Sequence, residues 1–175
     1  MNWEKYRPAE FEYRGKWVNN WFSNMVPDEI TIDDITYPSV ENYYQAMKSE
    51  DRAVHKHFAT LSPSNAKWEG RKLPLRENWE KLKRIYMFNA LLVKFEKPEW
   101  MEKLLNTGNE KIIEWNNWND KIWGVSIVDN EGENILGILL MNIREGLKYK
   151  KIDDEKSNEN NSVNTIDSTS DSSNS

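Results

Sequence analysis

In "EITIDDITYPS" (residues 29–39) apolar and polar side chains alternate on both sides of Asp33-Asp34, which predicts a small β-hairpin. The period then lengthens to that of a helix. Ser39 is placed to cap the N-terminus of a helix running through Lys48. "DRAVHKHFATL" predicts a second helix. "SPSNAKWEG" offers Ser62 as N-cap, Pro63 at the first helical position and Gly70 at the end, a short third helix with both terminal signals. From Arg76 to Phe95, Trp79, Leu82, Tyr86 and Val93 lie on or near one face. From Ile85 onward that segment is apolar nearly all round, which predicts the central buried helix. "PEWMEKLLNTG" predicts another helix with Gly108 near its C-terminus, and "KIIEW" a short strand. "ENILGILLMNIREGLKY" predicts the last helix, with Asn134 as N-cap and an apolar stripe of Leu136, Leu139, Leu140, Ile143 and Leu147. The expected architecture is α+β and mainly helical, a single domain over residues 1–150 with a small antiparallel β element.

After Lys150 the pattern stops. "KIDDEKSNENNSVNTIDSTSDSSNS" is nearly free of bulky apolar residues, so residues 151–175 are expected to be disordered. That tail holds two Lys and six Asp or Glu, so most of the net charge of −5 lies there and the body is close to neutral. A neutral body of mixed sign does not predict bulk nucleic-acid binding, but it leaves room for one local basic pocket. The chain lacks cysteine, which excludes disulfides, a thiol nucleophile and thiolate metal sites. His55 and His57 stand two apart and do not share a helix face, so neither a metal nor another cofactor is expected. The start, "MNWEKYRPAEF", has no apolar core of a secretory signal, and no run approaches the roughly 18 apolar residues of a membrane span. A cytoplasmic protein without membrane association is the expectation. The sequence leaves the oligomeric state open.

Three stretches carry residue types suited to chemistry. In "YPSVENYYQAMK", Glu41, Gln45 and Lys48 fall at i, i+4 and i+7 of a helix, one stripe about 10 Å long. Val40, Tyr43, Tyr44 and Met47 form the apolar stripe beside it. A solvated helix edge and a pocket rim would both look like this. "WNNWNDKIWGVSI" packs amides, Asp120 and tryptophans into a segment without a period, as in a loop built around a ligand or one pinned to the core. "GRKLPLRENW" places Arg71 and Arg76 five apart, and guanidinium forks match phosphate oxygens in bidentate fashion.

Taken together and in order, these stretches resemble the NADAR or YbiA-like family. Its pattern is matched by "WFSNM", "PSVENYYQAMK", "AKWEGRKLPLRENW", "MFNALLVKF", "LLNTG", "NDKIWG" and "NILGILLMNIR", from Trp21 to Arg144. Two departures stand out: Asn42 where many relatives have His, and "VSI" after Gly124 where many have a Gly-rich turn.

The resemblance implies an N-glycosidase, which cleaves the bond between a sugar C1 and a nitrogen. The implied substrates are ribosylaminopyrimidine phosphates of the riboflavin pathway or ADP-ribose on guanine. The residue types suit the reaction, because loss of the base leaves an oxocarbenium-like ribose. Glu41 would stabilise that cation or activate water, and Lys48 would instead attack as an amine and form a Schiff base. Asp120 would orient the ribose or the water. Trp79 and Trp123 would stack on the base, Arg71 or Arg76 would hold phosphate, and Asn24 would reach the base or sugar. Gln45 shares the stripe, and Gly124 lies where substrate choice would be decided. The implied partner is a small nucleotide-like molecule, including one carried on ADP-ribosylated nucleic acid. The alternative is a module that binds ADP-ribose or a nucleotide without cleaving it.

Overall fold

The computed structural model describes residues 22–167, with residues 153–167 as backbone course only. The N-terminal leader reading, Trp21 of "WFSNM" and residues 168–175 of the tail lie outside the described residues.

The hairpin forms as β1 (Ile30–Ile32) and β2 (Ile35–Tyr37), antiparallel, with Ile30 opposite Tyr37 and Ile32 opposite Ile35. Asp33 and Asp34 both take left-handed φ, 51° and 61°. A two-residue turn of that hand follows the twist of the strands it joins, and Asp tolerates it. Ile30, Ile35 and Tyr37 are buried.

Helix α1 (Val40–Ala46) starts where Ser39 Oγ accepts from Asn42 N. Asn42 Nδ2 then donates to the Phe58 and Leu61 carbonyls, at 2.9 and 2.8 Å, tying α1 to the end of α2 (Arg52–Phe58). Thus Asn42, one of the two departures, acts as a buried clasp. Helix α3 (Pro63–Gly70) is capped by Ser62, as its sequence signals predict.

Helix α4 (Trp79–Phe95) begins three residues later than its hydrophobic pattern suggests. Asn78 sits at its N-cap with φ 58°, and Arg76 N donates to the Lys48 carbonyl at 2.7 Å. That hydrogen bond holds the chain against the end of α1 and delays the helix. Met87, Ala90, Leu91 and Phe95 of α4 belong to one buried cluster with Leu136, Leu140, Ile143 and Leu147 of α6 (Ile135–Asp167). Full burial of each large side chain stabilises by roughly 1.5–3 kcal/mol. Helix α1 contacts both α3 and α4, and α5 (Pro98–Leu105) bridges α4 and α6.

The segment read as one short strand pairs in an unexpected way. β3 (Trp115–Asn116) and β4 (Val125–Ser126) run parallel, and the tryptophan-rich loop connects them. Asn134, expected as a helix cap, instead takes φ 53° and serves this segment: Nδ2 donates to the Ile112 carbonyl, and Oδ1 accepts from Glu114 N at 3.0 Å. The first amides of α6 (Ile135–Asp167) are satisfied by the Ile122 and Trp123 carbonyls. The loop, β3 and α6 therefore hold one another.

Helix α6 runs past Lys150 to Asp167, where the sequence predicts disorder. Among the described residues no helix is long and apolar enough to cross a membrane.

Candidate active site

The polar stripe of α1 faces inward. Glu41 and Gln45 are only 6% and 5% exposed, so this is not a solvated edge. The helix ends at Ala46, and a turn carries the stripe on, with Lys48 N donating to the Gln45 carbonyl. Gln45 Nε2 donates to Glu41 Oε1 at 2.8 Å. Lys48 Nζ donates to the Gly70 carbonyl, also at 2.8 Å, and so touches the end of α3. Gly70 makes this approach feasible: a Cβ there would stand 2.0 Å from Gln45 Oε1 and 2.9 Å from Gln45 Cβ.

The stripe forms one wall of a cavity of about 250 Å³. Ser23, Asn24 and Met25 line a second side, Lys67 and Arg71 a third, and Met87 comes from α4. Glu114, Trp118, Asp120 and Trp123 close it from the loop side, with Tyr44 beside Glu41. Asp120 is fixed by a double bond pair to Asn116: Asp120 N donates to Asn116 Oδ1, and Asn116 Nδ2 donates to the Asp120 carbonyl. Asp120 Oδ1 accepts from the Ile122 and Trp123 amides, which orients Trp123. The Trp123 ring meets Tyr44 edge-on at 5.4 Å and hydrogen-bonds its hydroxyl.

Charge is concentrated here. Burial pushes the Glu41 carboxyl above its ordinary range, while the Gln45 hydrogen bond and then Lys67, Lys48 and Arg71 pull it back. Burial lowers the Lys48 ammonium, Glu41 opposes that, and Arg71 adds to it. Glu114 is pushed up to about 8, by burial first and by Asp120 next, with Lys67 opposing and Glu41 adding. Three residues of the cavity lining also carry an oxygen that is buried with no hydrogen-bond partner inside the protein: Asn24 Oδ1, Gln45 Oε1, which lies against Gly70, and Glu114 Oε2. Buried polar atoms are nearly always paired, so three such residues around one cavity set this region apart from the rest of the interior.

Seven of the ten candidate residues converge on the cavity: Asn24, Glu41, Gln45, Lys48, Arg71, Asp120 and Trp123. The other three stand behind it. Arg76 donates to Tyr86 Oη and the Met47 carbonyl and pairs with Glu50 at 3.1 Å. Trp79 is buried, stacked on Tyr86 at 18° and tilted against Tyr44, so Tyr44 separates it from the cavity. Gly124 is a spacer, since a Cβ there would lie 2.4 Å from the Glu114 carbonyl. Glu114, Lys67, Trp118 and Tyr44 line the cavity without being read from the sequence. Signals for two of them existed. Lys67 shares a face with Arg71 at i, i+4 on α3, and Glu114 is a lone acid in an apolar run.

The two histidines have separate partners: His55 meets the Ser49 carbonyl, and His57 pairs with Glu69. Among the described residues no group of three or more His, Asp or Glu side chains is arranged to hold a metal ion.

Comparison with known proteins extends the picture. The family model described as "NADAR domain" matches residues 7–148. The N-glycosidase YbiA of Escherichia coli strain K12 is 39% identical over 134 residues, covering 74% of this chain and 82% of that protein. The N-glycosidase Npun_R5314 of Nostoc punctiforme is 37% identical over 134 residues, covering 73% and 85%. The chloroplastic riboflavin biosynthesis protein PYRR of Zea mays is 32% identical over 142 residues, which cover 70% of this chain and 22% of that longer protein. The NMR structure of E. coli YbiA superposes with a TM-score of 0.69 at 38% identity, covering 75% of this chain and 79% of that one.

Proposed function

The chain belongs to the NADAR family and is a hydrolase of N-glycosyl bonds, and from that premise we propose that it cleaves ribose C1 from the nitrogen of a ribosylaminopyrimidine phosphate. The observation that carries this reading is the buried Glu41 on the cavity wall with Lys48 two turns further along.

Size supports the smaller of the implied substrates. About 250 Å³ lies just under the roughly 300–1,000 Å³ that enclose drug-sized ligands. One ring, one ribose and one phosphate suit such a space better than a whole ADP-ribose. The maize relative's name, a riboflavin biosynthesis protein, points the same way.

The roles follow from placement. Lys67 and Arg71, one turn apart at the end of α3, hold the phosphate, and Arg71 does so at the exposed mouth. Trp123 presents an aromatic surface to the base, and stacking of that kind contributes roughly 1–3 kcal/mol per base. Asn24 reaches the base or sugar, and Gln45 orients Glu41 by its Nε2 hydrogen bond. Asp120, one oxygen already used by two amides, orients the ribose or the attacking water.

As the C1–N bond breaks, its electron pair leaves with nitrogen and positive charge develops on C1 and the ring oxygen. The Glu41 carboxylate stabilises that charge or takes a proton from the water that captures C1. In the covalent variant the sugar ring opens to an imine at C1, the Lys48 amine adds to C1, the aminopyrimidine leaves with its electron pair and a proton, and water then hydrolyses the Lys48 Schiff base to free the sugar and restore the amine. Lys48 must be neutral for this, and its lowered pKa moves it in the required direction.

The test is incubation of the purified protein with three candidates: a ribosylaminopyrimidine phosphate, NAD and ADP-ribosylated guanine in DNA, with products read by mass spectrometry. Release of the free aminopyrimidine supports the reading. Cleavage of the guanine conjugate alone moves the substrate to the ADP-ribose class. A ligand-induced rise in melting temperature with no product from any candidate makes the protein a binding module.

A further inference from the structure

We propose that Glu114 is the acid that protonates the leaving nitrogen, a catalytic residue on the cavity wall opposite Glu41. The inference rests on the N-glycosidase reading and adds to it the group that reading lacks. Loss of an amine or a ring nitrogen as an anion is unfavourable, so a proton must reach it as the bond breaks.

Glu114 stands just before β3, between Ile113 and Trp115, which bury into a small cluster with Val125, and it lines the cavity instead. Its backbone is held at both ends: Glu114 N donates to Asn134 Oδ1 at 3.0 Å, and its carbonyl accepts from Val125 N at 2.7 Å. Gly124 lets the two segments approach this closely, because any side chain there would strike the Glu114 carbonyl. The residue is half-buried as a whole, yet Glu114 Oε2 is fully buried and has no partner within the protein. A rigid backbone thus holds Glu114 in the cavity lining, with one carboxyl oxygen uncommitted to any protein partner.

Its surroundings keep it protonated. Asp120 and Glu41 face it with negative charge and Lys67 with positive charge, and burial dominates, so the carboxyl titrates near 8. Glu41 has its own hydrogen bond from Gln45 and three neighbouring cations to favour its anion. Burial raises both carboxyls, but a donated hydrogen bond and three cations oppose the rise at Glu41 whereas Lys67 alone opposes it at Glu114, and that difference in surroundings assigns Glu114 the acid's role. The step balances. The Glu114 O–H proton passes to nitrogen, the C1–N electron pair stays with nitrogen, and Glu114 becomes a carboxylate. Water adds to C1 and loses a proton to Glu41, and transfer of that proton to Glu114 restores both groups.

The experiment compares two leaving groups. Wild type, Glu114→Gln and Glu41→Gln are assayed with a ribosylaminopyrimidine 5-phosphate and with 4-nitrophenyl ribofuranoside 5-phosphate, whose phenolate leaves without a proton. Glu114→Gln should lose about 100-fold or more on the amine substrate and less than about fivefold on the nitrophenyl one. Glu41→Gln should lose on both. Wild type alone should show an alkaline limb near pH 8 with the amine substrate and none with the nitrophenyl compound, a readout that survives even if the variant folds poorly. Equal losses of Glu114→Gln on the two substrates, or the same alkaline limb on both, overturn the role of Glu114 while leaving the N-glycosidase reading standing. No cleavage of the amine substrate by wild type removes that reading, and the acid with it.

Discussion

Replacing Glu41 by Gln separates chemistry from stability because the two should move in opposite directions. Gln is nearly isosteric and can still accept the hydrogen bond from Gln45 Nε2, so the local geometry at 2.8 Å survives. The negative charge does not. Preorganised electrostatic groups aimed at developing charge are worth about 10²–10³ in rate, so a loss of at least 100-fold is expected, about 2.7 kcal/mol of barrier. Stability follows from linkage. Glu41 titrates above its ordinary 4.5 because it is buried. A raised carboxyl favours the fold below pH 4.5, and that advantage is lost as pH rises through the folded value. A side chain that cannot ionise keeps it. Glu41→Gln should therefore match wild type near pH 4 and exceed it at pH 8 by about 0.5–2 kcal/mol. For a chain of this size each kcal/mol corresponds to about 2–4 °C in melting temperature. Melts at the two pH values and single-turnover rates followed by mass spectrometry test both halves. A rate within tenfold of wild type would take Glu41 out of the reaction. A lower melting temperature at pH 8 would mark it as a structural partner of Lys48, Lys67 and Arg71.

Other substitutions test the division between wall and support. Trp79→Ala should cost about 3–5 kcal/mol of stability, as for a buried Trp, whereas Trp123→Ala should lower turnover more than stability; the reverse order in denaturant and rate measurements would exchange their roles. Gly70→Ala forces Gln45 aside, since its Cβ would stand 2.0 Å from Gln45 Oε1, and should reduce kcat at least tenfold with the fold retained by circular dichroism; unchanged kcat would show that the Gln45–Glu41 bond is dispensable. Lys48→Ala should abolish any sugar adduct trapped by borohydride on its peptide, and should cost about 1 kcal/mol because the Gly70 carbonyl loses its donor; normal turnover in this variant would leave water as the nucleophile.

Much of the fold was legible because its signals are local. The Asp33-Asp34 turn, the Ser39 and Ser62 caps and the apolar stripe of α6 each act within a few residues. What escaped depends on contacts far along the chain. The late start of α4 comes from Arg76 N bonding to Lys48, and the Asn134 side chain binds residues 112 and 114, in the segment leading into β3, instead of capping its own helix. The site divides in the same way. The Glu41, Gln45 and Lys48 stripe is visible from helical spacing, although spacing alone cannot say whether it faces water or a cavity. The α3 and α4 contacts of α1 decide that. Trp79 looked like a stacking residue by type, but its place at the first turn of α4 puts Tyr44 in front of it. Glu114 carries no motif of its own, and it lines the cavity from between Ile113 and Trp115, which bury with Val125 in a separate small cluster.

The uncommitted polar atoms constrain the ligand further than the motifs do. Asn24 Oδ1 comes from the loop before β1, Gln45 Oε1 from α1 and Glu114 Oε2 from the segment leading into β3. These elements have no common reason to leave an oxygen unpaired, yet all three residues line the same cavity. Gln45 is oriented by its donation to Glu41, so its free atom is the carbonyl oxygen. Leaving a buried acceptor unpaired costs about 1–3 kcal/mol, and a ligand that brings donors recovers that cost on binding. Ribose brings hydroxyl donors and an aminopyrimidine brings N–H donors. The substrate proposed above would set its phosphate, all acceptor, beside Lys67 and the exposed Arg71, and would carry its ribose and nitrogen toward the part of the lining that holds Glu41 and Glu114.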